Sequence, residues 1–150
     1  MSEALKIIAV IGGRECTDEQ YQIARNVGRL IAENKRILVC GGRSGIMEAA
    51  CRGAVEAGGI TVGILPGDDI RDANPWVTIP IATGIGLARN AIIARSAAAA
   101  IAVGGSYGTL SEIAYCKQFG VPVVGIQSWD ITDVPAVETA EEAIRFVLQV

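Results

Sequence analysis

No histidine occurs anywhere in this chain of 150 residues, and its four cysteines, Cys16, Cys40, Cys51 and Cys116, never stand as a C-x-x-C pair. The usual zinc constellations cannot be assembled from such a set, and the cysteine spacing gives no disulfide framework. All four read as buried thiols, and no metal site is expected. No apolar run reaches the roughly 18 residues that a membrane-spanning helix needs, and the opening Met1-Ser2-Glu3-Ala4-Leu5-Lys6 lacks the layout of a signal peptide. A cytoplasmic protein with no membrane partner is the expectation. Its glycine-rich turns match neither G-x-G-x-x-G nor G-x-x-x-x-G-K-[ST], which removes the specific signatures of a dinucleotide fold and of a P-loop. With a net charge of −3, the chain has no general affinity for nucleic acid, and an anionic ligand must be held by local groups.

What is present is a well-covered core: hydrophobic residues make up 51% of the chain and charged residues 19%, which argues against disorder. Residues 1–150 read as a single domain, long enough to bury about two thirds of the unfolded surface. Strand and helix patterns alternate from end to end. Lys6–Ile11, Arg36–Cys40, Ile60–Leu65, Ala97–Val103 and Val121–Ile126 are short apolar runs, and amphipathic helical stretches separate most of them. Parallel strands need crossover helices, so the fold class expected is α/β: a Rossmann-like, open, mainly parallel sheet with helices on both faces. Trp76–Ile81, bracketed by prolines, is expected to be short or at an edge. Thr17 to Gln20 and Thr139 to Glu142 have capping-box spacing at the start of two helices.

Glycine turns follow three of the strands, and in an open parallel sheet such turns collect at the carboxyl edge, where ligands bind. The first is Gly12-Gly13-Arg14, which reads equally as a ligand contact or as a turn with a solvated arginine. The second is Gly41-Gly42-Arg43-Ser44-Gly45 before a helix that opens with Met47 and Glu48. The third, Gly104-Gly105-Ser106-Tyr107-Gly108-Thr109, joins the most apolar run to the next helix and has the composition of an anion-binding turn. Thr109 to Glu112 also satisfies a capping box, which accounts for Thr109 and Glu112 but not for the glycines. A helix from about Gly86 to Ala97 places Ile85, Arg89, Ile92, Ile93 and Ser96 on one stripe, where Arg89 can snorkel to solvent or equally reach into a cleft between sheet and helix. The polar segment Asp68–Pro75 reads as a lid, its acidic groups as solvated rather than metal-bound.

These residues carry a family resemblance. Gly104 to Glu112 resembles the G-G-x-G-T-x-x-E signature of the LOG or "lysine decarboxylase-like" superfamily, and Gly41 to Met47 resembles its other glycine turn. Ala73-Asn74-Pro75 and Thr83 to Asn90 are similar to a branch, of the DprA/Smf-related type, that includes molybdenum-cofactor carriers. The resemblance implies either a binding protein for a phosphorylated small ligand, nucleotide monophosphate or molybdenum cofactor, or a phosphoribohydrolase that cleaves the base from a nucleoside 5′-monophosphate. In the second case Arg89 and Glu112 match the catalytic pair, with Asn90 where the enzymes carry lysine and Val103 where they carry proline. Taking the turns and the resemblance together, the binding residues expected are Gly12, Gly13, Gly41, Gly42, Ser44, Gly45, Met47, Arg89, Asn90, Gly104, Gly105, Ser106, Tyr107, Gly108 and Thr109; no cofactor is required. A homo-oligomer, a dimer or a multiple of dimers, is implied as well, and the Ala- and Ile-rich segment Ala88–Ala98 together with a mean hydropathy of +0.40 points the same way.

Overall fold

Short runs rich in Val, Ile and Ala make strands here because each is covered on both sides. In the computed structural model, which describes residues 6–150, Ile8 and Val10 enter one core while Ala9 and Ile11 enter another. The described residues form seven strands: β1 (Ile7–Gly12), β2 (Ile37–Cys40), β3 (Thr61–Leu65), β4 (Ile79–Ala82), β5 (Ala99–Val103), β6 (Val123–Ile126) and β7 (Ala136–Val137). They lie in the order β4-β3-β2-β1-β5-β6-β7 and every pairing is parallel. Five α-helices complete the α/β, Rossmann-like layers. Helices α1 (Asp18–Glu33), α2 (Ile46–Glu56) and α5 (Ala140–Val147) cover one face; α3 (Arg89–Ser96) and α4 (Tyr107–Phe119) cover the other. The first residues of the chain, on which the absence of a leader was argued, lie outside the described residues. No helix of the described residues is long and apolar enough to cross a membrane.

Local chemistry explains most boundaries. Thr17 and Gln20 form the reciprocal capping box that starts α1, and the Thr139 hydroxyl accepts from the Glu142 amide to start α5. Pro80 is tolerated because β4 is the edge strand. Three expectations need correction. The residues from Gly86 do not enter an α-helix directly: Gly86–Ala88 form a 3-10 turn and α3 begins at Arg89. That change of phase puts Arg89, Asn90, Ile93 and Ala94 inside and leaves Ile85, Ile92 and Ser96 exposed, so the expected stripe is wrong at three positions. Nor does Thr109 cap α4: the helix starts earlier, Ser106 is the cap, and its hydroxyl accepts from the Thr109 amide at 3.2 Å. The inward face of α4 is therefore Thr109, Glu112, Ile113 and Cys116, while Ala114 is exposed. The segment after β3 is tied down rather than loose. Arg43 Nη1 donates to the Asp72 carbonyl at 2.7 Å, and Asn74 Nδ2 donates to the Arg43 carbonyl at 2.8 Å.

Candidate functional site

The central strands β2, β1 and β5 are neighbours, so the three glycine turns that follow them meet at one edge of the sheet. At that edge opens a cleft of about 520 Å³ lined by Gly12, Gly13, Arg14, Glu15, Met47, Leu87, Arg89, Asn90, Gly105, Ser106, Gly108, Thr109 and Glu112. Interlocking of the first two turns makes the floor. Ile46 donates its amide to the Gly13 carbonyl at 3.0 Å, and Ser44 Oγ donates to the Arg14 carbonyl at 3.1 Å. Gly45, at φ +68°, adopts a left-handed conformation, and a side chain there would run into the carbonyls of Gly13 and Arg14.

Arg89 is the fixed charge of the site. Although α3 begins with it, its side chain is 6% exposed and runs back under the sheet edge. Nε donates to the Ile64 carbonyl at 2.9 Å, Nη2 lies 3.5 Å from the Gly41 carbonyl, and Nη1 donates to Asn90 Oδ1. Gly41 provides the space: a Cβ there would stand 2.7 Å from Arg89 Nη2 and 2.8 Å from Met47 Sδ. The amide of Asn90 carries the network to α4, since Nδ2 donates to Ser111 Oγ at 3.1 Å and that hydroxyl donates to the Gly108 carbonyl at 2.7 Å. One buried arginine thus ties the ends of β2 and β3 to the first turn of α4.

The α4 turn supplies donors. With Ser106 Oγ satisfying Thr109, the amides of Tyr107 and Gly108 remain without an intrahelical partner, at the positive end of the helix dipole. The Trp129 indole crosses behind the turn, its Nε1 donating to the Ser106 carbonyl at 2.9 Å.

Glu112 faces the cleft from α4, 6% exposed, and among the described residues no hydrogen bond or ion pair reaches its carboxyl. Burial pushes its proton affinity up to about 8, against the opposing pull of Arg89. At neutral pH the group is mostly the neutral acid and a hydrogen-bond donor. Burial lowers the proton affinity of Arg89, which Glu112 partly restores. The arginine stays charged across the physiological range, because a guanidinium is effectively never deprotonated in a protein.

Of the residues singled out in the sequence, Gly12, Gly13, Met47, Arg89, Asn90, Gly105, Ser106, Gly108, Thr109 and Glu112 line the cleft. Gly41, Gly42, Ser44, Gly45 and Gly104 stand behind it and shape its turns, while Tyr107 is 84% exposed and stacks on Trp129 at 6.0 Å. Glu15, Leu87 and Trp129 carried no sequence signal, although Leu87, 75% exposed in a glycine-flanked turn, is the kind of outlying apolar group that marks a rim. The segment Asp68–Pro75 does not line this cleft; Asp72 and Asn74 border a smaller neighbouring one.

Comparison with known proteins places this geometry. An uncharacterized protein of Archaeoglobus fulgidus is 45% identical over 143 residues, 94% of this chain and 93% of that one. The structure of the molybdenum cofactor binding protein of Rippkaea orientalis superposes with a TM-score of 0.93 at 34% identity, covering 99% of this chain and 98% of its own. That of the molybdenum cofactor carrier protein of Chlamydomonas reinhardtii gives 0.90 at 36% identity, covering 97% and 98%. The model of the SLOG cluster4 family matches residues 5–149, and this chain belongs to that family.

Proposed function

We propose that the cleft holds a phosphorylated small ligand, the molybdenum cofactor foremost and a nucleoside monophosphate next, and that the protein acts as a carrier. The observation that carries this reading is the α4 turn, where Gly105, Ser106 and Gly108, the last with an amide free of intrahelical partners, border a cleft whose fixed cation is Arg89. Molybdopterin ends in a phosphate and has a flat ring system. The donor turn suits the phosphate, a cleft of about 520 Å³ is of ligand size, and Met47 and Leu87 offer apolar walls to the ring. Protein residues here bind, orient and exclude water; none is required to transfer a proton.

A second reading, hydrolysis of a nucleoside 5′-monophosphate, is favoured by the presence of Arg89 and Glu112 in one cleft. Glycosidic cleavage builds positive charge on the sugar and gains from an ionised carboxylate. A Glu112 held at about 8 is mostly neutral at pH 7, which suits binding better than hydrolysis. Incubation with AMP and N6-substituted AMP separates the two: the carrier reading expects binding without base release, and free base with ribose 5-phosphate would overturn it. In the same proposal the protein works in the cytoplasm as a homo-oligomer, supported by the exposed Ile79, Ile81, Ile85 and Leu87 at the β4 edge and the turn before α3.

A further inference from the structure

Beside the main cleft lies a second one of about 210 Å³, lined by Arg14, Arg43, Ser44, Glu48, Asp72 and Asn74. Arg14 borders both. Among the described residues no carboxylate reaches ion-pair distance of Arg14 or Arg43, whereas Arg25, Arg29, Arg52 and Arg71 each have such a partner. Arg43 is also held in place. Its Nη1 is fixed by the Asp72 carbonyl, its own carbonyl accepts from Asn74 Nδ2, and the Asn74 amide donates to the Gly42 carbonyl at 2.9 Å. A guanidinium with one of its five donors engaged by a neutral acceptor keeps the rest of its fork for an anion. Both Arg14 and Arg43 are near enough to Arg89 to oppose its protonation, after burial and against Glu112. Three guanidiniums therefore converge at one edge of a protein whose net charge is −3.

We infer that the side cleft is a second anion subsite, taking a further anionic group at the far end of the phosphorylated ligand, as in a nucleotide phosphorylated twice on its ribose. This rests on the phosphate-binding reading of the main cleft. Turns β2–α2 and β5–α4 flank β1 in the strand order, so their anion sites stand about two strand spacings, roughly 10 Å, apart. That span is longer than two directly bonded phosphates and suits a ribose phosphorylated at both ends, with the arginine side chain making up the difference. Glu48, half-buried on the same wall, supplies an acceptor for a sugar hydroxyl between them.

Calorimetric titration with AMP and with adenosine 3′,5′-bisphosphate tests the subsite. The bisphosphate is expected to bind about tenfold more tightly than AMP, the worth of one charge-assisted contact pair. Arg43→Gln is expected to erase that gap while AMP affinity stays within about twofold, since Arg43 does not border the main cleft; Arg43→Lys, which keeps the charge, is expected to retain part of it. Equal affinity of both probes for the unmodified protein, or an equal loss of both in Arg43→Gln with an unchanged thermal melt, overturns the subsite alone. Failure of both probes to bind at all removes the nucleotide reading of the main cleft and overturns the subsite with it.

Discussion

Replacing Glu112 by glutamine is the perturbation from which most can be learned, because it keeps the volume of a buried side chain and removes only its titration. In the unfolded chain this carboxyl has a value near 4.5; in the fold, burial raises it to about 8. The folded state therefore holds the proton more tightly than the unfolded state. Its favourable contribution is fully present below about pH 4.5 and is lost as pH rises through 8. At about 1.4 kcal/mol per pH unit, the loss across that window is on the order of 5 kcal/mol. Urea unfolding of both proteins at intervals from pH 5 to 9 measures it, and the other titrating groups cancel in the difference. The Glu112→Gln variant should gain on the parent steadily with pH, with the difference flattening above 8. Parallel stability curves would refute the placement of an unpartnered carboxyl in a buried site.

Other consequences are quickly checked. Gly45→Ala forces a left-handed backbone and a clash with the carbonyls of Gly13 and Arg14, so a loss of at least about 2 kcal/mol is expected in urea unfolding. Ser106→Ala removes the α4 cap, costing about 1 kcal/mol, and should also weaken AMP binding, which a stability effect alone would not do. Thiol titration of the native protein should find Cys16 reactive first: Cys40 is held well above the usual range by its hydrogen bond with Cys51 and by burial, and burial pushes Cys116 up to about 12. Light scattering should give a multiple of 15.6 kDa; a monomer mass would remove the oligomer from the proposal.

The layers of the fold were legible because each strand is a short apolar run and each glycine turn follows one. The pattern failed where two local devices share a spacing. Ser106-x-x-Thr109 and Thr109-x-x-Glu112 both have the form of a cap, and only the packing of α4, which turns Thr109 and Glu112 inward, decides between them. Helical phase across Gly86–Ala88 was similarly undecidable, because a 3-10 turn advances faster per residue than an α-helix and shifts every later position. In the site, Arg89 was recognisable as a charge on an apolar stripe, and Glu112 through its place in the G-G-x-G-T-x-x-E pattern. Leu87 and Glu15 were not, since a lone exposed residue in a turn has no neighbours in sequence that mark a cleft. Strand β7, two residues long, has no period to detect.

Retention of the cofactor itself addresses the carrier proposal most directly. Molybdenum cofactor released from a donor enzyme is incubated with the protein, the mixture is desalted, and the bound pterin is oxidised to its fluorescent form and counted against protein. The parent protein is expected to retain pterin stoichiometrically. Gly105→Leu, whose side chain would press on Trp129 and the donor turn, should retain none while keeping its circular dichroism spectrum. Loss of pterin from the parent protein on desalting, or equal retention by Gly105→Leu, would contradict a carrier site at the α4 turn.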